Sequence, residues 1–248
     1  MCYSGSMCYN RGMKALIGQL KDARCVAVFT GAGVSTLCGI PDFRGPQGLY
    51  KQPDAERIFD IEWFRRDPSV YYKGCMELVY GLKNFKPGPV HRAIVRLEQA
   101  GLVKGVITQN IDMLHQKAGS KNVYEVHGSP ILHRCLECGR VKTFDEICAM
   151  LEKASVPRCE ACGEAYKPDI TFFGEMLPEK AFNDAVALAQ HADLMLVLGS
   201  SLTVHPAASI PSITVRSGGE LAIVNSPRRL IRSRRFVIPT SPPSPMPC

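Results

Sequence analysis

Short apolar runs alternate along most of this chain with segments whose apolar residues recur at helical spacing. The β-branched apolar runs predict buried strands at 25–29, 103–108, 122–126, 194–198 and 221–224. Helical periodicity predicts helices at 12–23, 70–82, 90–100, 144–153 and 179–191. Strands and helices that alternate in this way are typical of a parallel sheet covered by helices. The pattern therefore predicts an α/β fold with a Rossmann-like parallel sheet.

The first predicted strand runs into a glycine-containing turn, and the stretch 30–44 reads T-G-A-G-V-S-T-L-C-G-I-P-D-F-R. Gly31 and Gly33 allow the backbone to turn tightly and to approach another group closely. Ser35 and Thr36 can cap a following helix, whose N-terminus would attract an anion. Thr36 stands where the dinucleotide fingerprint has its third glycine. We therefore expect a phosphate-binding turn that differs from a dehydrogenase turn, with a plain structural turn as the alternative.

Polar residues also follow the other predicted strands. They are the segment Gln109 to Asp112, His127, the segment Gly199 to Ser201, and Asn225. Ligands of parallel sheets bind beyond the carboxyl ends of the strands. We therefore expect these residues and the Gly31 turn to meet at one edge of the sheet.

Two C-x-x-C pairs, Cys135 with Cys138 and Cys159 with Cys162, are separated by twenty residues. This spacing predicts a zinc site, and four thiolates leave no open coordination position, so the metal should be structural. A redox C-x-x-C is the alternative, which the second matched pair disfavours. We expect a small zinc-ribbon module inserted in the α/β domain.

Charge and composition limit the remaining function classes. The net charge is +7, but five arginines lie in the segment after residue 225, and the rest of the chain is close to neutral. The sequence has no signal-peptide core and no apolar run of the roughly 18 residues that span a bilayer. We therefore expect a cytoplasmic, monomeric protein without membrane or direct nucleic-acid binding. The tail reads as disordered, apart from one short strand at 236–238.

Eight ordered motifs together resemble the sirtuin family, over roughly residues 14–225. They are G-A-G-V-S from Gly31, G-I-P-D-F-R from Gly39, T-Q-N-I-D from Thr108, His127-Gly128, the paired C-x-x-C knuckles, F-G-E from Phe173, G-S-S-L from Gly199 and I-V-N from Ile223. Sirtuins are NAD-dependent protein-lysine deacylases. The resemblance implies that NAD is consumed as a co-substrate and that acetylated protein lysines are the substrates.

The resemblance also implies catalytic roles. His127 would be the base that deprotonates a ribose hydroxyl, for which the near-neutral pKa of histidine is suited. Asn110 and Asp112 would line the nicotinamide pocket, although an Asx turn or a helix cap is an alternative role for them. Among the other histidines, we expect His91 and His115 in packing or capping roles and His133 facing solvent.

The remaining site residues are implied by the same resemblance. The cofactor contacts would be Gly31, Ala32, Gly33, Ser35, Thr36, Asp42, Phe43, Arg44, Gln109, Asn110, Ile111, Asp112, Gly199, Ser200, Ser201 and Asn225. Phe173, Gly174 and Glu175 would pair with the substrate backbone as an added strand. Cys135, Cys138, Cys159 and Cys162 would hold Zn²⁺. The stretch 74–83 contains no arginine, so a carboxylate-bearing acyl group would lack a bidentate partner and neutral acyl groups, acetyl first, are expected.

These inferences divide the chain into four parts. The NAD-binding domain would comprise 12–44, 87–132 and 168–240, the helical cofactor-loop and acyl-pocket insertion 45–86, the zinc-binding module 133–167, and the disordered tail 241–248. The arginine- and proline-rich end replaces the closing helix that sirtuins usually have, so a catalytically impaired binding protein is one alternative function. Mono-ADP-ribosyl transfer is another.

Overall fold

The computed structural model describes residues 5–41, 55–225 and 237–239. The strands are β1 Val26–Thr30, β2 Val103–Thr108, β3 Val123–Glu125, β4 Gly128–Cys135, β5 Val141–Thr143, β6 Tyr166–Ile170, β7 Leu194–Leu198, β8 Glu220–Asn225 and β9 Val237–Pro239. The helices are α1 Gly5–Asp22, α2 Ala55–Ile58, α3 Ile61–Arg66, α4 Pro68–Cys75, α5 Pro89–Gln99, α6 Leu114–Ala118, α7 Phe144–Leu151, α8 Glu179–His191 and α9 Ile210–Arg216. None of these helices is long and apolar enough to cross a membrane.

Six strands form a parallel sheet in the order β3-β2-β1-β7-β8-β9. The central strand β1 is apolar along its length because helices cover both faces of the sheet. Its Val26 and Val28 pack with Leu16 and Ile94 on one face. Ala27 and Phe29 of the same strand pack on the opposite face, in a cluster that includes alanines of α8 and Ile210 of α9. The predicted α/β class and Rossmann-like sheet are therefore confirmed.

A second, antiparallel sheet has the order β5-β4-β6 and carries the paired cysteines. Helix α7 begins with a capping box, in which the side chain of Thr143 accepts from the Glu146 N–H and the Glu146 carboxylate accepts in return. An aromatic cluster lies between this sheet and helices α2 to α4. It consists of Phe59, Phe64, Tyr71, Tyr72, Tyr80 and Phe172, with ring centroids 5.1 to 6.3 Å apart.

Three local predictions are wrong. Ser35 and Thr36 do not cap a long helix, because the turn continues as two short 3₁₀ segments, Ala32–Val34 and Thr36–Cys38, without side-chain caps. The predicted helix at 70–82 ends at Cys75, and a 3₁₀ segment follows at Tyr80–Asn84. His133 does not face solvent but is fully buried, and its Nε2 atom lies 2.9 Å from the Tyr80 hydroxyl oxygen.

Strands β4, β5 and β6 and helix α9 were not predicted. The three strands form the antiparallel sheet, and exposed and buried positions do not alternate regularly along β4 and β6. The short strand expected near the C-terminus is present as β9, which pairs with β8. The arginine-rich segment and the predicted disordered tail lie outside the described residues.

Burial of His133 should make stability depend on pH. Burial lowers the pKa of this imidazole to about 3, so the folded state keeps it neutral while the unfolded state takes up a proton below about pH 6.5. The unfolded state then binds more protons, and the free energy of unfolding should fall by about 2 kcal/mol between pH 7 and pH 5 from this group.

Chemical denaturation of the wild type and His133→Phe at both pH values measures this contribution. The variant should be less stable at pH 7, because Tyr80 loses its partner, yet less sensitive to acid. The exposed His191→Gln is the control and should keep the wild-type pH dependence. An unchanged pH dependence in His133→Phe would contradict the assignment.

Candidate active site and metal centre

Two glycine turns contact each other at the carboxyl edge of the parallel sheet. The Gly31 N–H donates to the Leu198 carbonyl at 3.1 Å, and the Gly33 N–H donates to the Gly199 carbonyl at 2.9 Å. A Cβ atom on Gly33 would lie 2.7 Å from that carbonyl oxygen, and Gly199 has φ of +60°. Glycine is therefore required here by close backbone approach, and the turns after β1 and β7 form one continuous surface.

Three buried polar side chains join the first turn to the loop after β2. The Ser35 hydroxyl donates to Asp112 Oδ2 at 2.6 Å, and Asn110 Nδ2 donates to the Gly31 carbonyl at 3.2 Å. Asp112 Oδ1 also accepts the Leu114 N–H at the start of α6. This contact with the N–H two residues on is an Asx turn, one of the two alternative roles expected for Asp112, whereas the N-cap of α6 is Met113. The same carboxylate also binds the glycine turn.

A hydrogen-bond chain that the sequence did not reveal lies beneath this loop. The Thr30 hydroxyl donates to the Thr108 hydroxyl at 2.8 Å, and the Asn110 N–H donates to the same Thr108 oxygen. His115 Nε2 lies 2.9 Å from the Thr30 hydroxyl, and burial lowers the pKa of His115 to about 3. Because the Thr30 proton is directed to Thr108, the neutral His115 ring donates from Nε2. The chain fixes the main chain of Asn110.

His127 lies between the two sheets, after β3 and immediately before β4. Its Nδ1 is 3.0 Å from the Gln109 carbonyl oxygen, which can only accept. The neutral ring must therefore carry its hydrogen on Nδ1, and Nε2 is the nitrogen that can take up a proton. Gln109 precedes Asn110, so the histidine, the Asn110–Asp112 loop and the Gly31 turn share one edge of the sheet.

The polar ends of β7 and β8 complete this edge. The Ser200 hydroxyl donates to Gln109 Oε1 at 2.8 Å, and Asn225 Nδ2 donates to the Ser200 carbonyl at 2.9 Å. The Ser201 hydroxyl lies 2.9 Å from that of Thr203, and Thr36 donates to the Gly33 carbonyl. Ser200, Gln109 and Asn225 are thus brought together, whereas Ser201 and Thr36 bond within their own turns.

A small pocket opens between this edge and the helical segment. Ala32, Asn110, Ile111 and Asp112 line one side, and Ile40, Leu78 and Leu82 line the other. Its lining is mostly apolar, and Asn110 and Asp112 contribute polar side chains. The predicted contacts Asp42, Phe43 and Arg44 lie outside the described residues.

The loop after β6 contains the predicted substrate segment. Phe173 donates its N–H to the Phe59 carbonyl and accepts from the Ile61 N–H. Within the described part of the chain, the Gly174 main chain has no hydrogen-bond partner. The Glu175 side chain points inward, where it accepts from the Phe172 N–H at 2.8 Å and pairs with Lys167. The sequence had not singled out Lys167.

The four paired cysteines meet at the end of the antiparallel sheet. All four Sγ atoms lie within 4.8 Å of one another, with Cys135 and Cys162 at 3.4 Å and Cys138 and Cys159 at 3.5 Å. Tetrahedral zinc with Zn–S bonds of about 2.3 Å places its sulfurs about 3.8 Å apart. The cluster therefore fits a structural Zn²⁺ ion held by four thiolates.

Together, the fold and this edge define an α/β protein with a Rossmann-like dinucleotide site and an inserted four-cysteine metal module. The Sir2 family profile matches residues 31–206. A NAD-dependent protein deacetylase of Thermotoga maritima is 46% identical over 213 residues, which cover 86% of each chain. The chain therefore belongs to the Sir2 family, and the resemblance read from its motifs is confirmed.

Solved structures agree with this assignment. A structure described as Sir2 with p53 peptide and NAD⁺ superimposes with a TM-score of 0.83 at 41% identity and covers 93% of each chain. Sir2Tm bound to a propionylated peptide gives the same TM-score at 40% identity and the same coverage.

Gly33→Ala should test the contact between the turns. The added methyl group meets the Gly199 backbone, so the free energy of unfolding should fall by about 1–3 kcal/mol. Gly18→Ala is the control, because nothing lies within 4 Å of its Cβ position in α1 and alanine should favour the helix by up to about 1 kcal/mol. Urea denaturation compares the two, and equal stability of Gly33→Ala and wild type would refute the contact.

The metal module predicts one zinc ion per chain. Elemental analysis of purified protein should give this ratio, and Cys159→Ser should lose most of the metal because one thiolate ligand is gone. Cys25→Ser, outside the cluster, is the control and should keep its zinc. Equal zinc contents in both variants would show that the cluster does not hold the ion.

Proposed function

We propose that this chain is a NAD-dependent protein-lysine deacetylase, which transfers the acetyl group of acetyl-lysine to ADP-ribose and releases nicotinamide. The observation that carries this proposal is the tautomer of His127, whose Nδ1–H is held by the Gln109 carbonyl at the same edge as the Asn110–Asp112 pocket. Relatives described as NAD-dependent protein deacetylases support it. So does a Sir2 structure that contains acetylated peptide.

The carboxyl edge of the parallel sheet holds NAD. The turn formed by Gly31, Ala32 and Gly33, with Ser35 and Thr36, binds the diphosphate. The Gly31 and Gly33 N–H groups are bonded to the Leu198 and Gly199 carbonyls, so these two glycines contribute close backbone approach. Asn110, Ile111 and Asp112 enclose the nicotinamide. Ribose and adenosine contacts come from Gln109, Gly199, Ser200, Ser201 and Asn225. The family resemblance assigns further cofactor contacts to Asp42, Phe43 and Arg44. When bound, NAD supplies the ribose that receives the acyl group.

His127 is the general base of this reaction. Its Nδ1–H is held by the Gln109 carbonyl, so the ring accepts a proton at Nε2 without changing its orientation. Asn110 and Asp112 position the leaving group in the adjacent pocket. Zn²⁺ on the four cysteines keeps the ribbon folded and takes no part in the chemistry.

The protein substrate binds along residues 173–175. Phe173 already pairs with residues 59 and 61, so the peptide main chain meets Gly174 and extends the structure as an added strand. Main-chain hydrogen bonds do not discriminate between side chains, which implies that peptides of many sequences are accepted as substrates. Acetyl and other neutral acyl groups are preferred, in keeping with the Sir2Tm structure that contains a propionylated peptide.

The finer organisation is proposed on the sequence. The chain acts as a cytoplasmic monomer, since its thiolate cluster requires a reducing compartment, and direct nucleic-acid binding plays no part. Residues 12–44, 87–132 and 168–240 bind NAD, 45–86 cover the acyl pocket, 133–167 hold zinc, and 241–248 are a tail.

Removal of the base should abolish turnover. With acetylated peptide and NAD, His127→Ala should lower kcat/KM by about 10²–10⁴-fold, because general-base catalysis contributes that much. The exposed His191→Gln is the control and should act like wild type. Nicotinamide release and the mass of the O-acetyl-ADP-ribose product are measured together.

Equal nicotinamide release by wild type and His127→Ala would defeat the deacetylase proposal in favour of an impaired binding protein. ADP-ribose attached to protein, in place of the O-acetyl product, would indicate ADP-ribosyl transfer.

Acyl selectivity forms a separate test. Acetyl and propionyl peptides should be turned over at least about tenfold better than the succinyl peptide, whose carboxylate finds no arginine in 74–83. The same peptide sequence with each acyl group isolates the effect. Faster turnover of the succinyl peptide would contradict the preference.

A further inference from the structure

Lys167 is a buried cation that the proposed chemistry does not use. It lies in β6, and only 7% of its side chain is exposed. Its ammonium nitrogen donates to the Pro168 carbonyl at 3.0 Å and to the Ile170 carbonyl at 2.7 Å. A third contact, at 2.8 Å, is the ion pair with Glu175. A lysine with every donor directed inward is rare in a protein interior and requires a structural reason.

The partner of Lys167 closes a loop. Oε2 of Glu175 accepts from the ammonium group and from the Phe172 N–H, both at 2.8 Å. The Glu175 N–H donates in turn to the Phe172 carbonyl at 3.0 Å. The ion pair therefore joins the beginning of β6 to the far side of the turn formed by residues 172–175.

Two further contacts hold the same turn from beneath. The Lys167 ammonium lies 4.1 Å from the centroid of the Phe172 ring, which is a cation–π distance. Phe172 is fully buried in the aromatic cluster, whereas its neighbour Phe173 is 44% exposed. Between the ion pair and this ring, Gly174 is held at φ of +90°, and a Cβ there would meet Ile61 at 2.8 Å.

We infer that Lys167 is a positioning residue for the protein substrate: with Glu175 it clamps the 172–175 turn so that the Gly174 main chain is presented to the incoming peptide. Peptide binding by strand addition depends on main-chain groups that are already in place, because an unordered turn must lose entropy on binding. The inference rests on the proposed function for the location of the peptide. It reassigns the Glu175 carboxylate from a substrate contact to the internal clamp.

The clamp predicts a selective effect on peptide binding. Lys167→Met keeps the aliphatic stem and removes the ammonium group, so the peptide Kd and KM should rise about tenfold through misplacement of the turn. The KM for NAD should stay within about twofold, because the Gly31 turn is untouched. Lys167→Arg keeps the charge and several donors, and should restore peptide binding to within about threefold of wild type. Lys180→Met, which breaks an exposed ion pair with Asp184, is the control.

A double variant separates positioning from stability. Lys167→Met with Glu175→Leu replaces the pair by apolar groups, which commonly recovers stability lost when one partner is removed. Its melting temperature should exceed that of Lys167→Met. The peptide Kd should stay raised, because the Phe172 N–H has also lost its carboxylate acceptor and the ion pair that holds the turn is absent. If the peptide Kd of the double variant returned to the wild-type value together with the melting temperature, the role of Lys167 would be merely structural.

Amide hydrogen exchange measures the order of the 172–175 turn independently of enzymatic activity. The Phe172 and Glu175 amides should exchange faster in Lys167→Met than in wild type and Lys180→Met, because their hydrogen bonds depend on the turn. If the wild-type protein lacked deacetylase activity but the variants showed this exchange pattern, the proposed function would be wrong and the clamp of the 172–175 turn would still be supported. Unchanged exchange, an unchanged peptide Kd, or NAD and peptide constants that rise together would overturn the inference.

Discussion

The close approach of two backbone turns determines the rest of this site. Gly33 donates to the Gly199 carbonyl, and neither turn has room for a side chain at the contact. This contact joins the ends of β1 and β7, which are neighbours in the sheet. Ser35, Asn110 and Asp112 can then bond across the first turn, and Ser200 can reach Gln109. The arrangement of this edge is therefore a property of backbone packing, to which side chains are added.

Buried neutral histidines support the structure in a second way. His115 and His133 each give up their ordinary basicity because burial disfavours the charged ring. In return, each links segments that are distant in sequence, His115 to the end of β1 and His133 to Tyr80. His127 is less buried than both and lies at the edge of the cleft. Burial therefore accompanies a structural role for His115 and His133.

Much of the fold followed from the sequence because the parallel strands are continuous apolar runs and the C-x-x-C spacing is specific. The prediction for β2 matches the observed bounds, as do those for α8 and β7. The short 3₁₀ segments after Gly31 were missed because Ser35 bonds to Asp112, a residue 77 positions away, and local capping rules do not see such a partner. Lys167 was missed for a similar reason: a lysine in a strand reads as an exposed charge until its carboxylate partner is located. The burial of His133 likewise depends on tertiary packing against Tyr80 and Phe144.

His127 stands where the chain leaves one sheet and enters the other. Val126 still bonds to Thr108 of the parallel sheet, whereas the His127 carbonyl accepts from Thr171, beyond β6. Gly128 then opens β4 under tight contact with Asp169. The imidazole is thus held jointly by the two sheets. Replacement of the ribbon module by another would leave the parallel sheet intact, yet it would keep the orientation of the His127 ring only if the junction kept the spacing of residues 126–128 without an insertion.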